Sequence, residues 1–140
     1  MKKLFFPALM MVGALMVKGC SDPEAKFYKA SDVCAKAPEG ELVVLEGELV
    51  LPDNFYSNGS YAALMLKSND PKEDLPTLNI YFLKERKNTM ERIEDNYSEA
   101  DIKIYDNDGN IAKLGEKLRI TGERYGSQCI LSVDKIEKAK

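Results

Sequence analysis

The chain has 140 residues, of which 44% are hydrophobic and 31% are charged, and its formal net charge is −3. This composition is typical of one globular domain and excludes a disordered or collagen-like chain. The sequence contains no histidine, which excludes Ser-His-Asp and Cys-His catalytic groups and His-ligated zinc. We therefore predict a protein that is not an enzyme, with no cofactor and no metal site.

The first twenty residues have the pattern of an export signal. Lys2 and Lys3 precede an apolar run at residues 4–17, and Gly19 precedes Cys20. The apolar run has 14 residues, whereas a helix that spans a bilayer needs about 20. We predict that residues 1–19 form a signal peptide rather than a permanent transmembrane helix.

Residues 17–20, Val-Lys-Gly-Cys, resemble the bacterial lipoprotein signal, in which the cysteine is acylated and becomes the new N-terminus. The resemblance implies palmitate on Cys20, attachment to the membrane, and a tether at residues 20–39. Lys18 departs from the small uncharged residue usual in that family, so ordinary secretion stays as an alternative. Because Ser21 rather than Asp follows the cysteine, the enterobacterial sorting rule favours the outer membrane, facing the periplasm or the cell surface.

Charge is distributed unevenly along the chain. All 23 acidic residues follow position 20, whereas three lysines precede it, so the mature part is acidic. Binding to nucleic acid depends on clustered Lys and Arg that neutralise phosphates. The acidic balance therefore disfavours nucleic acid as a partner.

Cys34 and Cys129 form an even pair in a chain predicted to be exported. Such a pair typically forms a disulfide. Two buried thiols are the alternative. The sequence has no Cys-x-x-Cys motif, so it offers no basis for thioredoxin-like exchange.

The remaining pattern is mostly that of strands. A short helix is predicted at residues 31–36, before a long strand at 41–51 whose alternating apolar residues include Gly47 as a point of bending. Next come strands at 61–67 and 77–83, an amphipathic helix within 84–97, a hairpin formed by 102–105 and 111–114, strands at 117–124 and 128–136, and a frayed end at 138–140.

Residues 40–137 resemble the OB-fold, and in particular the tRNA-anticodon-binding-like and periplasmic OB-fold families of bacteria. The resemblance rests on Glu46-Gly47-Glu48-Leu49 and on residues 115–123 leading to residues 129–136. It implies a mainly β fold: a small five-stranded Greek-key barrel with one short helix between strands three and four and an extra hairpin. The loop at 68–76 and this hairpin depart from the family pattern, and another small barrel or sandwich stays as an alternative. In the OB barrel the first and fifth strands run in the same sense, which brings Cys34 and Cys129 to one end.

The resemblance also implies a ligand surface across strands two and three, between the loops that join strands one to two and four to five. Aromatic rings on that surface could stack on sugars, bases or a peptide. The alternative is that Tyr61 and Tyr81 only pair across neighbouring strands. The candidate binding face comprises Phe55, Tyr56, Tyr61, Asn79, Tyr81, Arg124 and Tyr125.

Residues 106–110, Asp-Asn-Asp-Gly-Asn, look like the start of a calcium loop. Lys117 occupies the twelfth position, where an EF-hand needs a bidentate Glu, so we predict a tight turn instead. The acidic residues Glu91, Glu94 and Asp95 are interpreted as a solvated helix face.

These patterns predict a membrane-anchored, non-catalytic binding or adaptor module of the bacterial cell envelope that recognises a protein, a peptide or a glycan. The alternative hypothesis is a nucleic-acid-binding OB domain of the anticodon-binding type.

Overall fold

The computed structural model describes residues 24–140. The predicted signal peptide, residues 1–19, and the predicted lipidation site Cys20 lie outside the described residues. The elements, in chain order, are β1 (Lys26–Phe27), α1 (Ala30–Lys36), β2 (Leu42–Val50), β3 (Tyr56–Ser57), β4 (Tyr61–Leu66), β5 (Thr77–Tyr81), β6 (Thr89–Met90), a 3₁₀ turn (Glu99–Asp101), β7 (Ile104–Tyr105), β8 (Ile111–Ala112), β9 (Lys117–Tyr125) and β10 (Ile130–Lys138).

Strands β2, β4, β5, β10 and β9 close into a barrel. Neighbours pair in that order, and β9 returns to pair with β2. All these pairs are antiparallel except β5 with β10, which is parallel. This is the strand order of an OB barrel, so the predicted mainly β, five-stranded fold is confirmed.

The long strand β2 closes the barrel by pairing with a strand on each side. Its first part pairs with β9, whereas Leu49 and Val50 pair with β4. Gly47 lies where the partner changes, and a Cβ there would stand 3.1 Å from Leu66 Cδ2. The glycine thus lets the two strands approach closely at the bend that the sequence predicts.

The barrel interior is filled by aliphatic side chains that alternate along each strand, as a period-two pattern requires. Their burial removes apolar surface from water and is the main stabilising term of the fold. The fully buried members include Leu45, Leu49, Leu64, Leu78, Ile80, Leu118, Ile120, Leu131 and Ile136.

Helix α1 is attached to one end of the barrel and agrees with the predicted helix at residues 31–36. Val33 is fully buried in the core cluster. Cys34 and Cys129 form a disulfide, with their Cα atoms 5.4 Å apart. Strands β2 and β10 run in the same sense, because each is antiparallel to β9. The predicted disulfide is therefore present, at the end of the barrel where both strands start.

The amphipathic helix predicted within residues 84–97 is wrong. The structure has β6 at this place, paired with β7 through Met90 and Ile104. Asn88 has a φ of 52°, which a right-handed helix does not accommodate. The helix prediction rests on only three apolar residues at helical spacing. A pattern this short does not distinguish a helix from an extended segment in which Met90 is buried by pairing with a distant strand.

The predicted hairpin at residues 102–114 is confirmed, as β7 pairs with β8 in a separate sheet of three strands. Its turn is closed by Asp106, whose Oδ1 accepts hydrogen bonds from the amides of Asp108 and Asn110. Gly109 takes a φ of 80° there. The acidic and amide residues thus form a tight turn, as predicted.

The C-terminal end is more ordered than the sequence predicts. Strand β10 continues to Lys138, which pairs with Leu118, and the amide of Ala139 donates to the carbonyl of Lys117. The structure therefore pairs Lys138 and Ala139, which the sequence predicts to fray, because β9 offers backbone partners there. Within residues 24–140, no helix is long and apolar enough to cross a membrane.

Candidate functional site

A groove of about 530 Å³ lies on the outer face of the barrel. The loop between β2 and β4 forms one wall, and the turn between β9 and β10 forms the other. Its lining comprises Pro52, Asp53, Asn54, Tyr56, Tyr61, Ala63, Met65, Thr77, Asn79, Gln128 and Ile130. This is the place where the OB resemblance predicts a ligand surface.

The pleat of β4 and β5 determines which side chains reach the groove. Leu64 and Leu78 point into the core, so Ala63 and Asn79, next to them in sequence, point outward. Ala63 pairs with Asn79 and also with Tyr56 of β3. Because Ala63 has only a methyl group, it leaves space above the sheet between larger neighbours.

Three tyrosines form a cluster beside this space, which we call the tyrosine cluster: Tyr56, Tyr61 and Tyr81. The ring centroids of Tyr56 and Tyr61 are 6.2 Å apart, and those of Tyr61 and Tyr81 are 5.7 Å apart in an edge-on arrangement. Tyr61 and Tyr81 face each other across β4 and β5, the cross-strand pairing that the alternative interpretation expects. Tyr56 is 53% exposed, so much of its ring remains open to a ligand.

The floor of the face is a hydrogen-bonded set of uncharged groups. Asn79 is buried, and its Nδ2 donates to Tyr125 Oη at 2.7 Å. The Ser132 hydroxyl donates to Tyr81 Oη at 3.1 Å. Burial raises the pKa of Tyr125, so its phenol stays protonated through the physiological range. These bonds hold the phenol of Tyr81 and the amide of Asn79 in fixed orientations.

Three of the seven candidate residues line the groove, namely Tyr56, Tyr61 and Asn79, and Tyr81 and Tyr125 lie beside them. The other two lie away from the groove. Phe55 packs on Tyr97, with ring centroids 5.2 Å apart. Arg124 turns toward α1, where its Nη1 donates to the carbonyl of Gly126 and its Nη2 donates to the carbonyl of Cys34. In strand β9 the residues alternate between faces, so the sequence neighbours Arg124 and Tyr125 point to different sides.

Sequence reasoning missed the polar lining contributed by the loops. Asn54 and Gln128 reach the groove from its two walls, and Thr77 from its floor. Gln128 immediately precedes Cys129 in the turn between β9 and β10, which was expected to flank the ligand surface. The position of Gln128 in that turn is therefore the sequence feature from which its place in the groove could be predicted.

The groove is nearly uncharged. Asp53 is the one charged residue in its lining within the described part of the chain. Among residues 24–140, no group of three or more cysteine, aspartate or glutamate side chains is arranged to hold a metal ion. What the groove offers a ligand is aromatic surface and amide or hydroxyl hydrogen-bonding groups.

Comparison with known proteins gives little beyond the fold. No protein-family model matches the chain, and no curated protein matches it. Among solved structures, the chain is similar to the telomere capping protein Ten1 from Saccharomyces pombe. The two share 19% identity at a TM-score of 0.44, over 83% of this chain and 82% of that chain. No residue role is carried over from it.

Two of the sequence-based predictions are corrected. The main function, an adaptor of the bacterial envelope, is supported neither by this comparison nor by a family match. The partner prediction, which excluded nucleic acid and attached the chain to a membrane through lipid, is likewise not supported. The charge argument considered the sum over the mature part, which does not describe a local surface such as the nearly uncharged groove.

Proposed function

We propose that this chain is a non-catalytic OB domain that binds single-stranded nucleic acid, with bases stacked on Tyr56 and Tyr61. The observation that carries this proposal is the tyrosine cluster on the outer face of β3, β4 and β5, beside a groove walled by loops. Proteins that bind single strands combine such aromatic platforms with a groove that follows the strand.

The lining of the groove fits a base better than a charged ligand. The amides of Asn54 and Gln128 each offer donors and an acceptor, which match the mixed edge of a base. A phosphate at this point would meet the Asp53 carboxylate and no cation from the lining. We therefore place the bases, and not the backbone, inside the groove.

The salt dependence of binding follows from this placement. Each phosphate neutralised on a single strand contributes about −0.7 to the slope of log K against log salt. A ligand short enough to stay within the groove meets no lysine or arginine of its lining in the described part of the chain. Its affinity should therefore change little with salt.

The proposal is tested by fluorescence anisotropy with a labelled single strand of about ten nucleotides. Tyr56→Ala should weaken binding about 5- to 150-fold, since removal of one stacked aromatic costs about 1–3 kcal/mol. Phe27→Ala is the matched control, because Phe27 is equally exposed, at 53%, and lies on β1. Absence of binding by the unmodified protein, or equal effects of both substitutions, would contradict the proposal.

We also propose that the chain is exported to the bacterial cell envelope. Support comes from the signal pattern of residues 1–19 and from the disulfide between Cys34 and Cys129, a bond that persists in oxidising compartments. The test is thiol alkylation of the protein in intact cells, followed by mass spectrometry. A bonded pair in the envelope fraction supports export, whereas two alkylated cysteines in the cytoplasmic fraction contradict it.

A further inference from the structure

A basic segment lies next to the tyrosine cluster. Residues 84–92 follow β5 and contain four basic side chains against two acidic ones, in a chain whose net charge is −3. We call its basic members the basic patch: Lys84, Arg86, Lys87 and Arg92. All four are exposed.

Two contacts hold this segment beside the tyrosine cluster. The Arg92 guanidinium donates through Nη2 to the carbonyl of Gly59 at 3.0 Å, in the turn that leads to Tyr61. On the other side, the hydroxyl of Thr89 donates to the carbonyl of Tyr81. The basic segment is thus bonded beside both members of the Tyr61–Tyr81 pair, so its cations lie next to the aromatic surface.

The patch surrounds a cavity of about 240 Å³, lined by Lys84, Arg86 and Arg92 and by one acidic residue, Glu91. The Glu91 carboxylate already accepts a hydrogen bond from the Tyr105 hydroxyl and lies 3.8 Å from Arg86 and 3.9 Å from Lys103. The Tyr105 hydrogen bond lowers the pKa of Glu91, so the Glu91 carboxylate stays ionised and paired with these three side chains.

The Arg86 guanidinium is oriented but accessible. It lies over the Tyr105 ring, 5.6 Å from the centroid, and its side chain is 75% exposed. An arginine that stacks on an aromatic face keeps its N–H donors available at the edge, where they suit a phosphate. Leu83, which is 59% exposed, adds apolar surface beside it.

We infer that a single strand whose bases occupy the groove leaves it past Tyr81 and lays its phosphates on Lys84, Arg86 and Arg92. This inference rests on the proposed function and extends it, because it divides the site into an uncharged part for bases and a cationic part for the backbone. The group that the basic patch would bind is the phosphodiester backbone, which DNA and RNA share.

The test compares salt dependence for a long and a short strand. Thymidine and uridine strands of about ten and about two nucleotides are titrated between roughly 50 and 200 mM salt. The double variant Lys84→Gln and Arg86→Gln should reduce the magnitude of the slope by about 1.4 for the long strand, since each lost phosphate contact contributes about 0.7. The short strand should show no change.

The matched control is Arg119→Gln with Lys135→Gln, which removes the same charge from the outer face of β9 and β10. These side chains face Glu46 and Glu137, at 3.9 and 3.0 Å. An unchanged slope in the Lys84 and Arg86 variant, or an equal reduction in the control, overturns the inference about the basic patch. It does not affect the proposal that bases bind in the groove. If the unmodified protein binds neither strand, the proposed function itself fails.

Discussion

Loss of the disulfide between Cys34 and Cys129 should destabilise the domain strongly. The bond joins residues 95 apart in sequence. In the chain-entropy model, closing a loop of this length stabilises the folded state by about 4.7 kcal/mol, because the cross-linked unfolded chain has fewer conformations. The double variant Cys34→Ala and Cys129→Ala is therefore expected to lose up to that free energy of unfolding.

The assay is urea and thermal unfolding followed by far-ultraviolet circular dichroism, with and without a reducing agent. For a domain near 100 residues, 1 kcal/mol corresponds to roughly 4 °C or more in Tm, so a fall of about 15–20 °C is expected. The double alanine variant is also the control, since the reducing agent should not affect it. An unmodified protein with the same Tm in its oxidised and reduced forms would refute the reasoning.

Three further predictions concern the fold. Gly122→Ala should lower the free energy of unfolding, measured in urea, by about 3 kcal/mol or more, because a Cβ there would lie 2.3 Å from a carbonyl oxygen of β10. Gly59→Ala is the control and should lower it little, because a Cβ at Gly59 would have no atom within 4 Å. Equal effects of the two glycine substitutions would contradict this. Asp106→Ala should lower the same free energy of unfolding by about 2–3 kcal/mol, since this buried residue accepts two backbone hydrogen bonds. A change below measurement error would reject the role of Asp106 in the turn. Although Asp134 is exposed, partial desolvation, with a smaller contribution from Glu123, raises its pKa, so ionising it costs folded-state stability as the pH rises from the unfolded pKa through the raised folded pKa. Asp134→Asn should therefore raise Tm at pH 7 more than at about pH 3, and a larger rise at the lower pH would contradict the sign.

The barrel could be predicted because each of its strands carries a period-two pattern bounded by turn residues. In β9 the inward residues include Leu118 and Ile120, and the polar residues on either side of them point outward. The pattern sets the face of each strand, and the OB resemblance supplied the order of pairing.

The segment between β5 and β7 could not be predicted in the same way. Its strand β6 has only two residues, too short for any period to be visible. Thr89 and Met90 are buried because distant residues cover them, and this cover arises only in the folded chain. Local spacing therefore favoured a helix where tertiary pairing produced strands.

The candidate site was partly predictable for a related reason. Tyr61, Asn79 and Tyr81 follow from alternation in β4 and β5, so their common face could be derived from the sequence. Phe55 and Arg124 lie at a loop and at the end of a strand, where neighbours in sequence turn to opposite sides. Their packing on Tyr97 and near α1 depends on the closed fold.

The central claim is that bases stack on the tyrosine cluster within the groove, and chemical-shift mapping tests it most directly. A ¹H–¹⁵N spectrum of the labelled protein is recorded during titration with a single strand of about four nucleotides. We expect the largest shifts at Tyr56, Tyr61, Asn79 and Gln128, with little change at Arg119 and Lys135 on the other face. Shifts confined to residues outside the groove, or no shifts with any strand, would contradict the account.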